Sequence, residues 1–198
     1  MSFTDSYLDE VARIAAALDR EPIDRMALLL AEVRANGGRV FVLGVGGSAA
    51  NASHLVGDLR KLAAVEAYAP TDNAAELTAR TNDLGWAEAF TGWLAVSRLG
   101  AADLVLVLSV GGGSLEPPVS PNLVHAMRAA KTAGARVAAI VGRDGGAAAH
   151  DADPCVIVPT VSTAHVTAHT EAFQAVIGHL LVSHPALKRN PTRWEELG

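Results

Sequence analysis

The chain has 198 residues and a formal net charge of −5; half of its residues are apolar and 19% are charged, which excludes a disordered chain and leaves apolar surface for one domain core. No group of Lys and Arg is larger than a pair, so no face for nucleic acid is expected. No apolar run approaches the ~18 residues that cross a bilayer, and the opening Met1-Ser-Phe-Thr-Asp5 lacks the basic and apolar regions of a signal peptide, so no membrane partner and a cytoplasmic location are expected.

From Tyr7 to Leu30 apolar residues recur at a period near 3.6, interrupted around Pro22, which predicts two amphipathic helices within residues 1–36. Short, nearly continuous apolar runs then predict strands buried on both faces at Arg39–Leu43, Leu104–Leu108, Arg136–Val141 and Cys155–Val158, with a weaker one at Ala64–Tyr68. Helices are predicted between them at Ala49–Leu62, Trp86–Arg98 and Pro121–Ala133, and a last one at about Ala164–Ser183. Strand and helix alternate, so the expected fold is α/β, a doubly wound, five-stranded parallel sheet of the flavodoxin type over residues 37–184. Residues 185–198 read as a tail. Cys155 is the one cysteine, so a metal would rely on His and carboxylate ligands.

In such a sheet ligands bind at the carboxyl ends of the strands, where strand order reverses. Gly44-Val-Gly-Gly-Ser48 follows the first strand and opens a helix, the arrangement of an anion site. Gly44-x-Gly46-x-x-Ala49 with Glu66 also fits a dinucleotide fingerprint. The second loop, Ser109-Val-Gly-Gly-Gly-Ser114 with Ser120 beyond it, favours a phosphate held between two small-residue turns. His54 and Asp58 lie four apart on the helix after the first turn, as a metal or proton-transfer pair would. Glu171 and His179 interrupt the apolar last helix, but eight residues separate them by ~12 Å along its axis, so reaching one ion would need an irregular helix or a second subunit.

These motifs, Gly44-x-Gly-Gly-Ser-Ala49, His54-x-x-x-Asp58, Thr81-Asn-Asp83 and the helix with Glu171 and His179, resemble the sugar isomerase (SIS) domain and within it the phosphoheptose isomerases, which act on sedoheptulose 7-phosphate. The resemblance implies an enediol isomerisation with Asp58, His179 and Glu171 as catalytic residues. It implies a possible zinc ion on His54, Asp58, Glu171 and His179, and a homo-oligomer, a tetramer in this family. Contacts to the phosphorylated sugar are expected from Gly46, Gly47, Ser48, Asn51, Asp83, Ser109, Gly111, Ser114 and Ser120. Against the family pattern, Val45 stands for Asn, Asp58 for Glu and Glu171 for Gln, and residues 115–119 lengthen the second loop. These departures keep a non-catalytic, phosphosugar-binding regulator as the alternative.

Overall fold

A computed structural model describes residues 2–197. Helices α1 (Phe3–Ala17) and α2 (Glu21–Ala35) come first. Ser2 and Asp5 cap α1 reciprocally, side chain to backbone, and Pro22 falls in the first turn of α2, where its missing N–H costs nothing.

Five strands, β1 (Val40–Leu43), β2 (Ala67–Tyr68), β3 (Leu104–Ser109), β6 (Arg136–Val141) and β7 (Cys155–Ile157), form a parallel sheet in the order β2-β1-β3-β6-β7. Alternate residues of these strands face two cores. Val40, Val42, Leu104, Leu106 and Ile140 pack against α1, α2, α3 (Gly47–Ala63) and α8 (Val166–Ser183). Phe41, Leu43, Val105, Val107 and Val141 pack against α5 (Ala89–Val96), α6 (Pro121–Thr132) and α7 (Gly146–Asp151). With both faces covered, β1 and β3 are buried throughout, which is why they read as unbroken apolar runs. From β1 the chain passes to β2 on one side, and from β3 to β6 on the other, so the crevice of strand reversal opens between the ends of β1 and β3.

Three segments differ from the sequence expectation. Helix α4 (Ala74–Leu84) was not foreseen: none of its residues is buried, so it has no apolar stripe to read. Asp83 lies in the last turn of α4, exposed and accepting a hydrogen bond from Asn82 Nδ2. Residues 115–119 belong to a hairpin of β4 (Ser114–Leu115) and β5 (Pro118–Val119). The expected tail is docked at its start: Leu187 is fully buried, Arg34 Nη1 donates to the carbonyls of Ala63 and Leu187, and a short helix, α9 (Arg193–Glu196), follows.

Asp103, just before β3, is buried and accepts hydrogen bonds from the amides of Arg39 and Gly100, both at 2.9 Å, and from Arg39 Nε and Nη2 at 3.1 and 2.8 Å. Burial pushes its carboxyl up, but these bonds outweigh burial and hold it below the ordinary value. A depressed carboxyl stabilises the fold fully above its unfolded value, and that contribution is lost as pH falls through the folded value. Asp103→Ala strands a part-buried guanidinium and two amides, so urea unfolding at neutral pH should register a loss of about 3 kcal/mol. The difference from wild type should shrink in acid. An unchanged midpoint would refute this role.

Candidate active site

The first turn is shaped by close approach. A Cβ on Gly44 would stand 2.3 Å from the Ser48 carbonyl oxygen and 2.8 Å from the Ala49 nitrogen, so only glycine lets β1 run directly into α3. Gly46 adopts φ +63° and its carbonyl accepts from the amides of Ala49 and Ala50. Ser48 is buried in the first turn of α3, and the leading amides of that helix form its positive end. Gly47 makes room for another side chain: a Cβ there would lie 2.4 to 2.6 Å from the carboxylate atoms of Glu171.

The second turn leaves the neighbouring strand. Ser109 is buried at the end of β3, and its Oγ accepts from the Gly112 amide at 3.1 Å. Gly112 and Gly113 then accept from the amides of Ala148 and Ala147, which ties the loop to the β6–α7 turn. Ser48 and Ser109 thus mark the ends of adjacent strands. Ser114 does not join them: its hydroxyl accepts from the Glu116 amide and donates to the Glu116 carbonyl, within the hairpin. Gly111 and Ser114 line a different space, a cleft of about 590 Å³ between the hairpin and the β6–α7 turn, with Arg128 and Arg143. Ser120 takes a left-handed conformation ahead of α6 and makes no capping bond through its side chain.

Helices α3 and α8 pack side by side and bring together three of the four side chains expected at a metal. His54 Nε2 lies 2.9 Å from His179 Nε2, and Asp58 Oδ2 lies 3.3 and 3.6 Å from these two nitrogens. Both imidazoles are more than half exposed while Asp58 sits beneath them at 20% exposure, so neither histidine is a buried core residue. Glu171 is the correction: α8 is continuous, and Glu171 lies two turns back, against Gly47 rather than with His179. Asn51 is also committed elsewhere. Its Nδ2 donates to the Glu171 carbonyl at 2.8 Å and to Gln174 Oε1 at 3.1 Å, clamping the two helices.

Gln174 escaped the sequence reading. It is buried, its Nε2 has no partner among the described residues, and it lines a small pocket with His54, Asp58 and His179. Its position three residues after Glu171, on a mostly apolar helix, was the available signal.

Comparison with known proteins identifies the family. The model of the SIS domain family matches residues 6–142. A phosphoheptose isomerase of Chlorobaculum parvum is 35% identical over 188 residues, spanning 89% of this chain and 83% of that protein. The lincomycin biosynthesis protein LmbN of Streptomyces lincolnensis is 34% identical over 195 residues, spanning 93% and 69%. Among solved structures, phosphoheptose isomerase GmhA of Neisseria gonorrhoeae superposes with a TM-score of 0.78 at 26% identity, spanning 91% of this chain and 96% of that one. The fold, the paired glycine-rich turns and these likenesses together place the chain in the SIS domain family, within its phosphoheptose isomerase branch.

Proposed function

We propose that the chain interconverts sedoheptulose 7-phosphate and a heptose 7-phosphate, an aldose–ketose isomerisation through a cis-enediol. The observation that carries this reading is the convergence of His54 and Asp58, on a helix that begins at a phosphate-type turn, with His179 of the neighbouring helix. The reaction moves one proton from carbon to carbon and needs a base at the carbon and an acid at the carbonyl oxygen. In this reading the Asp58 carboxylate takes the proton from one carbon and returns it to its neighbour, while the exposed His179 imidazole gives a proton to the carbonyl oxygen and takes one from the hydroxyl on the neighbouring carbon, which becomes the new carbonyl. Ser48, Ser109 and the leading amides of α3 bind the phosphate.

Two imidazole nitrogens and a carboxylate oxygen within 4.8 Å of one another are a donor set that fits zinc, and His54, Asp58 and His179 would hold it. Zinc is the alternative to proton transfer by His179: bound there, it would polarise the sugar carbonyl instead.

Glu171 acts on the phosphate from the same helix end. A carboxylate at a helix N-terminus is favoured by about 0.3–1 kcal/mol, and the substrate phosphate seeks the same positive end. Glu171→Gln should therefore lower KM for the phosphosugar about two- to fivefold, an effect that fades at high salt. A raised KM would overturn this account. Apolar side chains left exposed on α1, α2 and α8, among them Leu8, Leu28, Val176 and Leu180, support a homo-oligomer, which we read as a tetramer. Among the described residues no helix is long and apolar enough to cross a membrane.

Incubation of the full chain with sedoheptulose 7-phosphate, with and without zinc, followed by product analysis, tests the reading. Formation of an aldoheptose phosphate is expected. Tight binding of the sugar phosphate without turnover would replace the isomerase with a phosphosugar-binding regulator.

A further inference from the structure

A second cluster of ligand-type side chains lies at the start of α8, away from His179 by ten residues or more, or about 15 Å along the helix axis. Glu10 comes from α1; His165 stands just ahead of α8 and His169 lies in its first turns. Glu10 Oε2 is 2.8 Å from His165 Nδ1 and 2.7 Å from His169 Nε2, and the three atoms lie within 4.8 Å of one another. His169 is buried, with Glu10 and His165 only 17% and 30% exposed. The Tyr7 ring packs 4.5 Å from His169 and 5.3 Å from His165, and Phe3 stands edge-on to His165 at 5.8 Å, so an aromatic wall holds the imidazoles in place.

We propose that Glu10, His165 and His169 form a divalent-metal site of the zinc type, distinct from the His54–Asp58–His179 group, that fastens α1 to the start of α8. Two imidazole nitrogens and one carboxylate oxygen are a donor set zinc uses. A helix-to-helix latch would need a single imidazole bonded to the carboxylate. Here two imidazoles approach one oxygen, so three donor atoms lie close together. Among the described residues His169 Nδ1 is buried without a partner, so the ring's polar engagement there is on the side facing Glu10. The ligands are 155 and 159 residues apart in sequence, so the site exists only in the folded chain and ion binding there stabilises the fold.

The test is titration of the metal-free full chain with Zn²⁺ by calorimetry and with Co²⁺ by visible absorbance. This inference does not depend on the isomerase reading, and the variants separate the two. The His54→Ala/His179→Ala double variant should still bind one ion and gain thermal stability from it. His165→Gln/His169→Gln should lose that ion, and Glu10→Gln, which keeps the packing of α1, should weaken it at least about tenfold. A single ion lost with His165 and His169 alone would support this site and count against zinc at the other. The proposal is overturned if the wild type binds no ion, if its ions are all lost in the His54/His179 variant, or if the His165/His169 and Glu10 variants bind as the wild type does.

Discussion

Replacing His179 with alanine is expected to cut turnover of sedoheptulose 7-phosphate about 10³-fold, the middle of the range for loss of a positioned acid–base group, with KM little changed. The side chain is 58% exposed and touches His54 and Asp58, not the core, so its removal takes away reactivity and little packing. Thermal stability should stay within about 0.5 kcal/mol of wild type, which separates a chemical defect from an unfolded protein. The phosphate turns are untouched, so ground-state binding should survive. Two imidazole nitrogens 2.9 Å apart share one proton or one cation, and His54→Ala should therefore also impair turnover. A His179→Ala enzyme within about tenfold of wild type in kcat would remove the α3–α8 pair from the chemistry.

The parts of the fold that were legible in the sequence are those where burial imposes a pattern. Strands β1, β3 and β6 are covered by helices on both sides, so Val, Leu and Ile run on without alternation and their ends locate the two glycine-rich turns. Helix α4 buries nothing and so carries no period. The pairing of His54 and Asp58 was legible because four residues on a helix share a face; His179 stood out as a polar interruption of an apolar helix, and only the family resemblance joined it to that pair. The ~12 Å between Glu171 and His179 pointed to a broken helix or a second subunit; the helix proves unbroken, which removes the first, and within its own chain Glu171 faces Gly47. Ser114 looked like a phosphate ligand because the hairpin that captures its hydroxyl could not be read from Leu-Glu-Pro-Pro-Val. Glu10, His165 and His169 escaped notice for a simpler reason: only the docking of α1 on α8 joins them.

Gly44→Ala is expected to raise KM for the phosphosugar at least about tenfold, and to destabilise the chain by about 1–3 kcal/mol, as overpacking of a tight site does. The new methyl would meet the Ser48 carbonyl at 2.3 Å and the Ala49 nitrogen at 2.8 Å, and neither can rotate away because both are backbone. Relief requires the first turn of α3 to move off β1, and with it go Ser48 and the amides that face the phosphate. Gly47→Ala is the control. Its methyl meets the carboxylate of Glu171, the far end of a flexible side chain, so Glu171 swings aside while α3 keeps its place. Stability should then change by less than about 1 kcal/mol, and inorganic phosphate should still compete with the sugar substrate. If Gly44→Ala binds phosphate as the wild type does while Gly47→Ala does not, the anion is held by the Glu171 side of the crevice and not by the start of α3.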